Sequence, residues 1–166
     1  MDISVLPIII LLPLVLGTTL VSWLKQFSRG VTALAAIGIS LSSLVLLLLH
    51  APDVLNGQVI QQTWRWLPEL GLNLSFRLDA LGLLFALLIS GIGTLIFIYA
   101  YYYLGPKNSL SKLYMLLMLF MAAMLGIALS NNLILLLTFW ELTSISSFLL
   151  VGYWSNYDAA QRGSRM

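Results

Sequence analysis

LILLLTFWELTSISSFLLVGY, residues Leu133 to Tyr153, decides the fold class. Twenty-one residues is the length of an α-helix that crosses a bilayer, and apolar side chains carry most of this run. One carboxylate, Glu141, stands inside it. With the helix starting near Leu133, Glu141 lies about 12 Å in at 1.5 Å per residue, well within a hydrocarbon core of roughly 30 Å. A carboxylate there is costly unless it is paired, wetted or protonated.

The rest of the chain repeats the apolar theme. Four further segments are long and apolar enough to span or nearly so: 4–24, 31–49, 80–103 and the shorter 113–129. The reading is an all-α polytopic membrane protein with about five transmembrane helices in one membrane domain over 1–166. Composition agrees, because 60% of the 166 residues are hydrophobic and only 8% are charged, too few to cover a water-soluble surface. Pro13 is expected to kink the first helix. The first segment begins with acidic Asp2 and ends at Trp23 and Lys25, unlike a cleavable signal peptide, so it reads as a retained span.

Sorting the charges gives an orientation. Lys25, Arg29, Lys107, Lys112, Arg162 and Arg165 fall with Asp158 on one side. Asp2, Asp53, Glu69 and Asp79 fall with Arg65 and Arg77 on the other, where the Ser130-Asn131-Asn132 turn adds no charge. The cytoplasmic bias of Lys and Arg predicts the cell membrane, an outside N-terminus and a cytoplasmic C-terminus.

The long connection from His50 to Asp79 is the exception to helix. Leu70, Leu72, Leu74, Phe76 and Leu78 alternate with Gly71, Asn73, Ser75, Arg77 and Asp79, the period of a half-buried strand. Trp64 and Trp66 flank Arg65 with the same period, and Pro68-Glu69 can turn the chain. A small extracytoplasmic β-hairpin between helices 2 and 3 is expected. Asp79 is placed to cap the third helix. Asn73-Leu74-Ser75 also fits a glycosylation acceptor, a triplet common by chance.

Many chemistries are excluded. No cysteine is present and His50 is the only histidine, so thiolate clusters and multi-histidine metal sites within the chain are ruled out. Gly91 and Gly93 form a G-x-G without the third glycine, inside an apolar run, and read as helix packing. Met115, Met118, Met121 and Met124 recur every three residues and read as adaptable packing, as do Ala122, Ala123, Gly126 and Ala128 as small contact residues. The small residues of helix 2, Ala33 to Ser43, read the same way. No cofactor, no metal and no nucleic-acid partner is expected.

Glu141 therefore carries the functional reading. Thr138, Ser144 and Ser147 recur around it at spacing three, with Thr143 and Ser146 beside them, and are expected to support the carboxyl with water or hydrogen bonds. Intramembrane carboxyls mark ion or proton paths; a protonated glutamate that only bonds a neighbouring helix is the plainer alternative. No Lys or Arg lies inside a span, so the cation that would pair with Glu141 is expected elsewhere.

Two stretches resemble a known family. Leu74 to Leu104, LSFRLDALGLLFALLISGIGTLIFIYAYYYL, resembles the N-terminal region of antiporter-like subunits of respiratory complex I and its relatives. Phe139 to Trp154, FWELTSISSFLLVGYW, is most similar to the large A subunit of Mrp-type cation/proton antiporters, because Leu142-Thr143-Ser144 stands where complex I relatives tend to be glycine-rich. The resemblance implies that Glu141 is the family's fifth-helix glutamate, which exchanges protons with a lysine on a later, broken helix. It implies a secondary transporter subunit and not an enzyme, with partners that are other membrane subunits, protons, Na+ or another monovalent cation, and lipid. A proton-pumping subunit of a complex I-like oxidoreductase or membrane hydrogenase, or an inert truncated fragment, are the alternatives. The family runs on past Arg165-Met166 into further apolar helices, so the chain is expected to be an N-terminal fragment.

Overall fold

The computed structural model describes residues 5–19, 28–67, 72–104 and 110–154. Its elements are α1 (Val5–Leu11), which continues as a π-helical segment (Leu12–Gly17), α2 (Arg29–Leu55), β1 (Ile60–Leu67), β2 (Leu72–Leu78), α3 (Ala80–Tyr103), α4 (Leu110–Leu129) and α5 (Leu133–Val151). Among the described residues four helices, α2 to α5, are long and apolar enough to cross a membrane. The first expected span is helical over its described part, and the remainder of 4–24 lies outside the described residues.

Around Pro13, where a kink was expected, the helix is π-helical from Leu12. Proline has no N–H for the carbonyl four residues back. That carbonyl belongs to Ile9, which is fully buried, and the buried Ser43 hydroxyl of α2 donates to it at 3.2 Å. A serine of the neighbouring helix thus supplies the donor that proline lacks.

α2 starts at Ser28, whose hydroxyl accepts from Val31 N–H at 3.4 Å. It runs to Leu55 and not to residue 49. Pro52 sits in the last turn, where the helix tolerates it, and His50 Nδ1 bonds the Leu46 carbonyl at 2.8 Å. Gly57 ends the helix at φ 87°, with Gly57 N–H on the Val54 carbonyl and Gln58 N–H on that of Asp53. This is a Schellman stop, which favours glycine at that position. α4 likewise starts earlier than expected, at Leu110, because Ser111 and Lys112 lower the hydropathy of a turn without breaking it.

Packing is centred on α4, which touches α1, α2, α3 and α5. Half of its most apolar window is buried, against 11% for α5. α4 is thus the hub and α5 the edge. Met118 and Met121 of the methionine row fill notches at Gly17 and Gly93, where an added Cβ would stand 2.9 Å and 3.0 Å from the methionine side chains. Between α2 and α3 the buried Ser40 and Thr94 hydroxyls meet at 2.6 Å.

The hairpin is antiparallel, with Ile60 opposite Leu78 and Trp64 opposite Leu74. Residues 68–71, where the turn was expected, lie outside the described residues. Phe76 and Leu78 are buried as the alternation requires. Ser75 was expected on the solvated face and is also buried. Its hydroxyl pairs with that of Thr63 at 2.9 Å and its carbonyl accepts from Asn131 N–H at 2.9 Å, so the Ser-Asn-Asn turn covers it. Gln62 Oε1 accepts the Leu6 amide at 3.1 Å. The hairpin therefore joins the ends of the bundle at which α1, α3 and α5 begin.

A candidate proton site on the edge helix

α5 is set in place at its start. Asn132 caps it, with Oδ1 accepting from Ile134 N–H at 2.9 Å, while the Asn132 side-chain amide reaches the Asn73 carbonyl at 3.3 Å. It docks on α4 through Leu135, Phe139 and Ser146, all buried, with Leu142 half-buried against the same core. Spacings of four, three and four are those of one helix seam. Phe139 is the anchor. Its ring lies over Gly126 of α4, where an added Cβ would overlap it, and its centroid is 6.4 Å from that of Phe76.

Glu141 follows two residues after this anchor. At 3.6 residues per turn, two residues rotate it about 200° from Phe139. The side chain is exposed on the face that α4 leaves uncovered. Ile134, Leu137, Ile145 and Phe148, one and two turns away on that face, are apolar and each more than half exposed. Among the described residues no hydrogen bond or ion pair reaches its carboxylate.

The hydroxyls expected to support it turn inward to their own helix. Thr138 donates to the Ile134 carbonyl at 2.9 Å, Ser144 to Trp140 at 3.4 Å and Ser147 to Ser144 at 2.9 Å. Thr143 and Ser146 also donate to carbonyls three residues back. A hydroxyl on a helix has an acceptor within reach at i−3 or i−4, which competes with any more distant partner. A spacing of three also drifts about 60° per step around a 3.6-residue helix. Thr138, Glu141, Ser144 and Ser147 therefore wind across the exposed surface of α5 and do not form a single straight row. All four are exposed.

Besides the Ser43 bond and the burial of Ser75, two polar features escaped the sequence reading. One is the Ser40–Thr94 contact, which joins residues 54 positions apart and has no local signature. The other is Arg29, whose guanidinium donates to the Leu104 carbonyl at the C-terminal end of α3 at 2.8 Å. Asp79 behaves as expected. Its carboxylate accepts Gly82 N–H at 2.8 Å and pairs with Arg77 at 3.2 Å.

Comparison with known proteins gives this helix a family context. Residues 64–114 match the family described as NADH-Ubiquinone oxidoreductase (complex I), chain 5 N-terminus. Na(+)/H(+) antiporter subunit A1 of Staphylococcus aureus is 38% identical over 162 residues, 98% of this chain. This chain is a homologue of part of that antiporter protein. It spans 20% of that relative's length. The homologous region folds alike in a solved structure, the Mrp complex from Dietzia sp. DQ12-45-1b, at TM-score 0.63 and 27% identity over 89% of this chain and 15% of the other. The membrane-bound sulfane sulfur reductase, an archaeal respiratory membrane complex, shares the fold at TM-score 0.76 and 24% identity over 89% of this chain and 23% of its own. With four apolar helices and membrane antiporter relatives, this antiporter-subunit homologue is a multi-pass membrane protein.

Proposed function

We propose that the chain forms part of the membrane domain of a monovalent cation/proton antiporter subunit, with Glu141 as the carboxyl that exchanges the proton. The supporting observation is the position of Glu141: mid-helix, on an exposed apolar face of the edge helix, in a homologue of an Na+/H+ antiporter subunit. A carboxylate facing lipid at that depth is unfavourable, so further protein must cover it. The antiporter relative is about five times as long, which leaves ample sequence for such a cover. Covered in this way, Glu141 exchanges its proton with water or with a basic group on the covering segment. Thr138, Ser144 and Ser147 keep acceptor lone pairs for water while donating to the helix.

The other subunits of a hetero-oligomeric complex are the partners, and the ions exchanged are H+ against Na+ or another monovalent cation. The single membrane domain over 1–166 lies with its hairpin outside and the Arg29 end in the cytoplasm. A second reading, a proton-pumping subunit driven by redox chemistry, is favoured by the match to the complex I chain 5 family over 64–114.

One experiment tests the first reading against the second. In vesicles containing the complete assembly, an imposed Na+ gradient without redox substrates should drive proton movement, and Glu141→Gln should abolish or severely reduce it with assembly intact. Near-normal exchange in Glu141→Gln would demote the residue to packing. Proton movement that needs a redox substrate would favour the pump.

A further inference from the structure

α5 meets the other helices along a single seam. Leu135, Phe139 and Ser146 are its buried residues, and α4 is the helix it packs on. The hydroxyls of Thr138, Thr143, Ser144, Ser146 and Ser147 all donate within α5 itself. Among the described residues no side chain of Leu133–Val151 hydrogen-bonds another element. A helix resting on one row of contacts resists sliding better than it resists rolling about its own axis. Glu141 stands about 200° around the helix from Phe139, so any roll at the seam swings the carboxyl by the same angle. A helix with its side chains is about 10–12 Å across, so a roll of about 20° carries the carboxyl by about 2 Å.

Phe139 has a second neighbour, and it comes from the hairpin. The buried Phe76 ring of β2 lies 6.4 Å from the Phe139 ring, centroid to centroid, with the planes inclined at 53°. Aromatic pairs at such a separation and tilt attract each other. Phe139 is therefore held both by the Gly126 notch of α4 and by the hairpin. Phe76 is itself fixed to the turn that starts α5. It bridges to Ser130, while Asn131 donates its N–H to the Ser75 carbonyl at 2.9 Å and its side-chain amide to the Ser75 hydroxyl at 3.3 Å. The hairpin thus grips α5 at its start and again between one and two turns inside, a pair of points that opposes rolling. We infer that Phe76 is a positioning residue for Glu141: set against Phe139, it fixes the roll of α5 and so the direction in which the carboxyl faces. The consequence for exchange rests on the role proposed for Glu141; the placement of the carboxyl does not.

The test follows two readouts in the complete assembly: the infrared band of the Glu141 carboxyl, identified by its loss in Glu141→Gln, and Na+-driven proton movement. Phe76→Leu keeps an apolar side chain but removes the ring, so the protein should assemble while the Glu141 band shifts and broadens. The maximal exchange rate should fall about tenfold, within the range that a small misplacement of a reacting group costs. The half-saturating Na+ concentration should stay unchanged. Phe76→Ala should give a larger change of the same kind. Met118→Ala removes buried bulk at the Gly17 notch of α4. It should lower thermal stability yet leave the band unmoved and the rate near native, which separates positioning from general loosening. An unshifted Glu141 band in Phe76→Leu, or an equal shift in Met118→Ala, would overturn the inference. Near-normal exchange in Glu141→Gln would instead sink the role proposed for Glu141, and the band would still decide whether Phe76 positions it.

Discussion

Single side chains repair the backbone of this bundle at defined points. Ser43 donates to the Ile9 carbonyl that Pro13 leaves without its α-helical partner. Ser43→Ala should leave that buried acceptor unpaired and cost about 1–3 kcal/mol, read from unfolding in detergent. Ser42→Ala is the control. Ser42 is only half-buried and bonds within its own helix, so its loss should cost less. At the hairpin end, Asp79→Ala removes the cap of α3 and should cost about 1 kcal/mol. The Arg77 pair adds little to this, because both partners are well exposed. Asp79 was legible as a cap because a cap and its helix are neighbours in sequence. Ser43 was not, since its partner is 34 residues away.

Among the elements, α5 depends on one knob-in-notch contact. Gly126→Val should push Phe139 off α4 and destabilise the pair by about 1–3 kcal/mol. Gly91→Ala, where nothing stands within 4 Å of the added carbon, should be neutral or slightly stabilising. Thermal unfolding of the two variants side by side checks this. The spans over 80–103 and 133–153 were readable because each is one unbroken apolar run. Helix ends were read less well. Hydropathy stops at His50 and starts at Leu113, while hydrogen bonding continues to the Gly57 stop and begins at Leu110. The hairpin followed from period-two alternation, but the burial of Ser75 did not. Its cover comes from Asn131, 56 residues away.

For the whole molecule, the helix directions collect Asp53, Arg77 and Asp79 at the hairpin end and Arg29 and Lys112 at the other. The chain has no cysteine, so single cysteines label cleanly. A thiol at Lys112 should react with a membrane-impermeant reagent only from the cytoplasm, and one at Asn56 only from outside. The reverse pattern would invert the orientation. The candidate site was half legible. An apolar run with one carboxylate marks Glu141, but hydropathy has no angular resolution, and the exposure of Glu141 on the edge helix emerged only with the packing of Phe139 on Gly126. Proton exchange through Glu141 requires this carboxyl to gain and lose the transported proton. Infrared difference spectroscopy of the complete assembly, on switching Na+ at fixed pH, measures that directly. The expected result is a protonated-carboxyl band that changes with Na+ and disappears in Glu141→Gln. The same band persisting unchanged in Glu141→Gln, while exchange continues, would contradict it.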